Sequence, residues 1–311
     1  MRIVKIKPKS VFPELHSNTI FGALCSALTE LYDEDVDKFK DDKPPFLISS
    51  AFPCIENEYF FPMPITKLVR IEEDRKVYGA LKDLKKVRYV HGSIFEEIRK
   101  GTSFLDFVGK IGNEYKERSG FLVDKEVDVD YNIESIERVH NRLNRLTFKS
   151  EYYFKTGKIF RDASLFFLIK FNENYRKKVD SALSFLVDRG FGGSITRGMG
   201  SFEFEWGELK LNEFDGPYLI TLSLYLPGKE FKQFGREVWY EPLRIQGRHA
   251  SGIMKRGVVM LKEGSTFRNI GREFYGKIVD VGDDKIKITQ YGIAFHLPFV
   301  GWKDEGKEDK N

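Results

Sequence analysis

Residues 174–206 read NYRKKVDSALSFLVDRGFGGSITRGMGSFEFEW, and the order of elements in this stretch decides what its glycines can do. Val179, Ala182, Leu183, Leu186 and Val187 recur at i, i+3, i+4, i+7 and i+8, which predicts a one-sided helix over about 174–189 with Arg176, Lys177 and Lys178 on its wet face. Gly190 stands where a helix closes in a left-handed residue. SFEFEW alternates with period two and reads as a strand. Between them lie Gly190, Gly192, Gly193, Gly198 and Gly200 around Arg197. A dinucleotide site needs strand, glycines, then a helix whose N-terminus faces the phosphates. Here the order is helix, glycines, strand, the GxGxxG offsets fail, and no GK[ST] follows. A nucleotide cofactor is therefore disfavoured, and no other cofactor signature is present. What remains is a loop of bare N–H groups with Ser194, Thr196 and Arg197, able to line the path of a polyanion. The same glycines could instead simply supply turns of positive φ.

Working outward, RIVKIK at 2–7 alternates as a strand, and KPKSVFPELHSN is a loop with two prolines. Asn18 is the expected N-cap of a helix carrying Ile20, Phe21, Leu24, Cys25, Leu28, Leu31 and Tyr32 at helical spacing, which ends in the charge run DEDVDKFKDDK. Prolines in FLISSAFPCIENEYFFPMPITK (46–67) argue against a helix interior or a central strand, so extended packing chain or a partner surface is expected. Residues 68–135 show no clear period, with a basic patch KDLKKVRYVH at 82–91, and read as an insertion. EYYFKT and SLFFLIKF, joined by GKIFRD, read as a hairpin. The resulting order, strand, helix, insertion, two strands, helix, strand, is βαββαβ, the ferredoxin-like or RRM-like arrangement. From Gly216, PYLITLSLYLP, FYGKIVDVG, KIKITQYG and IAFHLPF open a second series of short strands. The expected fold class is α+β with two ferredoxin-like domains, the second by analogy with the first. The first would span 1–212 with an insertion at about 35–150, the second, β-rich, 213–303, and 304–311 would be a frayed tail.

Composition narrows the chemistry. The 311 residues are 41% hydrophobic, enough for two domains with real cores, and the net charge of +4 means that any polyanion site must come from local clustering. Two cysteines 29 positions apart, Cys25 and Cys54, give neither a zinc pattern nor a disulfide framework, and Cys25 is expected to fill a helix core. No run of about 18 apolar residues and no signal core occur, so a cytoplasmic location without membrane contact is expected.

Two further clusters carry cations among small or polar residues. HNRLNRLTFK at 140–149 holds Asn141, Arg142, Arg145 and Lys149, with a solvated helix end as the ordinary alternative. RIQGRHASGIMKRG at 244–257 holds Arg244, Arg248, Lys255 and Arg256 beside three glycines, a pattern that suits a phosphate backbone or a plain charged loop. The five histidines form no HxxxH pair and no GxSxG elbow exists. His16, beside Ser17 and Asn18 at the entry to a helix, could act as a general base on RNA, although a lone loop histidine is more often a surface or hydrogen-bonding residue.

Taken together, GFGGSITRGMGSFEF after a helix resembles the RAMP superfamily of CRISPR-associated RNA-binding proteins. HSNTIFGALCSAL, SSAFP with YFFPMP, NRLNRLT, VVMLKEGSTF and QYGIAFHLPF resemble, in that order, the subunit-four family of the Csm complex, the type III-A CRISPR effector. The resemblance covers nearly the whole chain except 68–135. It implies a non-catalytic subunit without metal or cofactor that grips the repeat-derived 5′ tag of the crRNA. Such a subunit docks on the large polymerase/cyclase-like subunit and on a backbone RAMP subunit, in antiviral defence. Carried onto this chain, the RNA path would be lined by His16, Ser17 and Asn18, by Asn141, Arg142, Arg145 and Lys149, by Gly192, Gly193, Ser194, Thr196, Arg197 and Gly198, and by Arg244, Arg248, Lys255 and Arg256. The rival reading is a metal-independent repeat endoribonuclease of the same superfamily, with His16 as general base.

Overall fold

The computed structural model describes residues 1–33, 44–67, 75–128, 133–192, 198–248, 253–283 and 286–302. Strand β1 (Arg2–Pro8) leads through a loop into helix α1 (Ser17–Tyr32). The N-cap is His16, not Asn18, which lies in the first turn: the amides of Thr19 and Ile20 return to the His16 carbonyl, and that of Ser17 is taken by the Ser50 hydroxyl. Strands β2 (Phe46–Ile48), β3 (Phe52–Ile55) and β4 (Glu58–Pro62) follow, then α2 (Arg75–Leu84), β5 (Tyr89–His91), α3 (Gly92–Lys100), α4 (Phe104–Lys110), β6 (Tyr115–Arg118) and β7 (Phe121–Asp124). Two long strands, β8 (Ile133–Leu143) and β9 (Ser150–Phe160), precede β10 (Ala163–Phe171), helix α5 (Arg176–Arg189) and β11 (Phe202–Glu208).

The main sheet runs β11-β1-β10-β3-β4-β5-β7-β6, with β2 on β10 as well; its pairs are antiparallel except β5 with β7. Its centre is covered on both faces, which explains why β10 reads as an unbroken apolar run instead of alternating. Leu165, Phe167 and Ile169 point into a core with α1 and α5, built from Ile20, Phe21, Leu24, Leu28, Val179, Ala182, Leu183 and Leu186. Phe166 and Leu168 point the other way, into a core with Ile94, Phe95 and Ile98 of α3 and Phe107 of α4. The same split sends Ile3 to one core and its neighbour Val4 to the other. Cys25 is buried in the helix-side core.

Three local expectations are corrected. EYYFKT and SLFFLIKF are strands, but they do not pair with each other: β9 pairs along its length with β8, and β10 pairs with β1, β2 and β3. GKIF belongs to β9, and the turn is made by Arg161 and Asp162, the latter at φ 55°. The strand beside β10 is instead β3, proline included. Pro53 sits opposite Leu165, where β4 has not yet joined the far side, so its missing N–H breaks no ladder bond between β3 and β4. The segment expected as an insertion therefore contributes β2 to β7 to the main sheet.

The second half is β12 (Tyr218–Thr221), β13 (Val238–Trp239), β14 (Pro242–Ile245), β15 (Val258–Leu261), β16 (Thr266–Arg268), β17 (Val279–Asp280), β18 (Thr289–Gln290) and β19 (His296–Phe299). They form a four-stranded sheet, β13-β16-β12-β19, and the two-stranded pairs β14-β15 and β17-β18. Strands are shorter than the apolar runs suggested: of PYLITLSLYLP only Tyr218–Thr221 enters the four-stranded sheet. Among the described residues after 213 there is one 3-10 segment, Lys229–Phe234, and no α-helix. Both halves share cores. Tyr291 stacks on Phe21 with centroids 4.3 Å apart, and Ile220, Leu222, Phe295, Leu297 and Phe299 complete the core on the α3 side. No helix among the described residues is long and apolar enough to cross a membrane.

Candidate nucleic-acid interface

The loop from Lys9 to His16 is the hub that joins the far end of the glycine loop, β9 and the entry to α1. Its backbone ties to the far end of the glycine loop, with the Gly200 amide donating to the Val11 carbonyl (3.0 Å) and the Lys9 amide to the Ser201 carbonyl (2.8 Å). It ties to β9 through reciprocal bonds between Phe12 and Lys158, both 2.9 Å. Phe12, Phe191 and Phe202 pack edge-on and tilted beneath it, all buried. Two of the glycines are explained by this crowding. A Cβ on Gly200, at φ +80°, would sit 2.0 Å from the Phe191 carbonyl oxygen, and one on Gly192, at φ +83°, 2.9 Å from Pro13. Gly198 faces open space. Gly193, Ser194, Thr196 and Arg197 lie outside the described residues.

At the end of the hub, His16 Nδ1 lies 2.8 Å from Oε1 of Glu263, which also accepts from the Ser50 hydroxyl. Glu263 is only 7% exposed. Burial pulls the His16 pKa down, but the hydrogen bond and charge of Glu263 overcome it, and the net direction is up. Burial likewise pushes Glu263 up, and the His16 partner and Ser50 bring it below the usual carboxylate range. The arrangement favours the protonated form of the ring, and Glu14 lies 3.9 Å from the other ring nitrogen. Ser17 is withdrawn from any RNA role for its side chain: it is fully buried, and its hydroxyl accepts from the Leu224 amide. Asn18 is half-buried, and its Oδ1 has no hydrogen-bond partner among the described residues.

NRLNRLT is the tip of a ribbon, not a helix end. Asn141 and Arg142 close β8, Asn144 Oδ1 accepts from the amides of Leu146 and Thr147, and Phe148 takes φ 53° to turn the chain into β9. Cross-strand register divides the ribbon into two faces. Arg138 with Lys155, His140 with Tyr153 and Arg142 with Glu151 share one; Val139 with Phe154, Asn141 with Tyr152 and Leu143 with Ser150 share the other. Val139, Leu143, Tyr152 and Phe154 are exposed, as are Leu146 and Phe148 at the turn, where Leu146 reaches 92%. The tip stands about 25 Å from the hub at Lys158, eight residues along an extended strand. Arg145 and Lys149 therefore do not join His16 in one pocket.

The basic loop hangs from the β14-β15 hairpin, two residues before Glu263. Arg244 lies on β14 and reaches Gln246 Oε1 at 3.3 Å; Arg248 bridges to Met254 through the backbone. Arg256 donates to the Asp280 carbonyl at 3.1 Å. Lys255 is half-buried, and burial pushes its pKa down. His249 lies outside the described residues. The sequence offered no signal for Glu263 as the partner of His16, or for Ser50 as the second donor to Glu263, because they lie 247 and 34 residues beyond His16 in chain order. It also missed His91, whose ring nitrogens lie 2.6 Å from Glu58 and 2.7 Å from Ser93. Among the described residues no group of three His, Cys, Asp or Glu side chains is placed to hold a metal.

With this geometry in hand, comparison with known proteins is direct. A family model for the RAMP superfamily matches residues 3–203, so the chain belongs to the RAMP superfamily. A second, for the CRISPR Csm4 C-terminal domain, matches residues 215–299. The chain is 29% identical over 280 residues to the CRISPR system Cms protein Csm4 of Thermococcus onnurineus, covering 86% of each. It is 23% identical over 319 residues to the protein of that name from Methanocaldococcus jannaschii, covering 86% of this chain and 81% of that one. Its fold is similar to a chain of the Csm3-Csm4 subcomplex of a type III-A CRISPR-Cas interference complex, with TM-score 0.70, 20% identity and coverage of 96% and 99%. It is likewise similar to a chain of a Csm1-Csm4 cassette in complex with cA4, with TM-score 0.65, 22% identity and coverage of 98% and 99%.

Proposed function

We propose that this chain is a non-catalytic, RNA-binding subunit of a type III-A CRISPR effector complex in the cytoplasm. It holds the 5′ repeat-derived tag of the crRNA and docks on the large polymerase/cyclase-like subunit and on a backbone RAMP subunit. The relatives named Csm4, and the presence of such chains in structures with Csm3 and with Csm1, support this reading. Within the chain the observation that carries it is the two-faced ribbon. Arg138, Arg142 and Lys155 share one face with Glu151 opposite Arg142, and the opposite face exposes aromatic and aliphatic side chains that a lone protein has no reason to leave in water. Gly192, Gly198 and the His16 ring extend the reading to the hub, and the cations of the basic loop extend it to the second half of the chain.

The fold reading that goes with it is a first ferredoxin-like domain over 1–212 and a second, β-rich domain over 213–303. The strand order β11-β1-β10-β3 with α1 and α5 on one face supports the first, and the family matches fall on either side of about residue 210. The second domain rests on analogy with the first. The test is crRNA binding across a salt series: Arg142→Ala lowers affinity and reduces the slope of log K against log salt by about one. An unchanged slope removes the ribbon from the RNA path.

One observation favours the endoribonuclease reading, the His16–Glu263 pair, which orients an imidazole as a catalytic base would need. The same pair raises the His16 pKa, so the ring is increasingly protonated at neutral pH and poorly suited to take a proton. Repeat RNA incubated with the protein in EDTA stays intact on the subunit reading, and His16-dependent cleavage reverses it.

A further inference from the structure

At the Arg2 end of β1, about 20 Å along the strand from the hub, the two halves of the chain leave a cleft of about 680 Å³. Four cations line it, Arg2, Arg99, Lys170 and Arg272, against one carboxylate, Glu213. Three of the cations are backed by rings: Arg2 over Phe171 at 4.8 Å, Lys170 over Phe295 at 5.3 Å and Arg99 over Phe214 at 4.9 Å. Their polar commitments differ. Arg99 is spent, fully buried on Glu96 and on the carbonyls of Pro298 and Asn212. Arg2 reaches Glu173 at 2.9 Å and Arg272 reaches Glu230 at 3.8 Å, and both guanidinium groups remain partly open to solvent. Lys170 has no carboxylate within ion-pair distance among the described residues. Burial pushes its pKa down, with Glu213 acting only at longer range. Beside it His296 is kept neutral, since burial lowers its pKa to about 4.

We propose that this cleft binds a small phosphate ester of mononucleotide size, with Lys170 holding the phosphate and Arg2 and Arg272 flanking it. Lys170 is exposed on the cleft wall, and an ammonium with no carboxylate at ion-pair distance there gains from an anion that Arg2 and Arg272 also face. The volume falls in the range of small-molecule sites, roughly 300–1,000 Å³, and inorganic phosphate would leave most of it to water. The site is separate from the RNA track, and the inference does not depend on the crRNA reading.

Calorimetric titration of the full chain with AMP, inorganic phosphate and adenosine tests it. The expected result is saturable AMP binding that Lys170→Met weakens by at least about tenfold, the scale of one charge-assisted hydrogen bond. Lys170→Arg should restore it, Lys85→Met, at an exposed lysine outside the cleft, should leave it unchanged, and adenosine should not bind. AMP binding more tightly than inorganic phosphate supports the ester, whereas equal binding overturns the ester and leaves a bare phosphate site. The proposal fails entirely if neither anion saturates, or if Lys170→Met, with an unchanged circular dichroism spectrum, binds AMP as the parent does.

Discussion

His16 stands between two carboxylates of unequal burial, and the difference sets how it responds to pH. Its folded pKa is raised above 6.5, so the stability it contributes is fully present below that value and is lost as pH rises through the folded one. Glu263 has a folded pKa below 4.5, so its contribution is present above that value and is lost as pH falls through the folded one. The pair is therefore at full strength between about pH 4.5 and 6.5. Since Glu263 is buried and would keep Ser50 and a backbone amide but no cation of comparable closeness, His16→Gln is expected to cost about 3 kcal/mol in that window. Denaturant unfolding at pH 6 and pH 9 should show the gap between parent and variant narrowing at the higher pH. A gap of equal size at both would mean that the imidazolium is not what stabilises Glu263. At this scale the sequence showed His16 as a residue of interest at a helix entry. It could not show the partner, because Glu263 is brought to it by folding from the other end of the chain.

The ribbon of β8 and β9 is the element whose chemistry and stability are best separated. Its tip packs against nothing that the main sheet needs, with Leu146 and Phe148 exposed and the turn held by its own Asn144. Phe148→Ser is thus expected to change unfolding free energy by no more than about 0.5 kcal/mol. On the RNA reading it should weaken crRNA binding, by up to roughly 1–3 kcal/mol if a base stacks on the ring. Filter binding beside denaturant melts separates the two; equal losses in both would make the ring structural. The cations of NRLNRLT were legible in the sequence, but the hairpin was not. EYYFKT and SLFFLIKF are adjacent strands with a plausible turn, and strand periodicity carries no record of which neighbour a strand pairs with. The unbroken apolar run of β10 announced burial on both faces, whereas the lack of a period in 68–135 concealed short elements of three to ten residues.

Over the whole molecule, the two halves are joined through a polar seam and two shared cores. The Ser50 amide donates to the Leu222 carbonyl, the Leu224 amide to the Ser17 hydroxyl, and Glu263 takes His16 and Ser50, all buried or half-buried. Neither half can be removed without exposing Phe21 and Ile293 on one side or Phe166 and Phe295 on the other. Calorimetry is therefore expected to give one cooperative transition for the full chain, despite family matches that divide it near residue 210. Two resolved transitions would show that the seam is weaker than its burial implies.

By itself the sequence determined the amphipathic helices α1 and α5, the strand that follows the glycines, and an element order that disfavours a dinucleotide cradle. Each of these is a matter of local period and order, which a chain carries wherever it folds. The tertiary structure alone decided that β3 rather than β9 lies beside β10, that Ser17 is a buried strut, and that His16 meets the buried Glu263. It also decided that Lys170 stands in a cleft with no carboxylate at ion-pair distance among the described residues. These depend on which residues distant in the chain come within a few ångströms, and burial and charge pairing act over that distance and not over sequence separation.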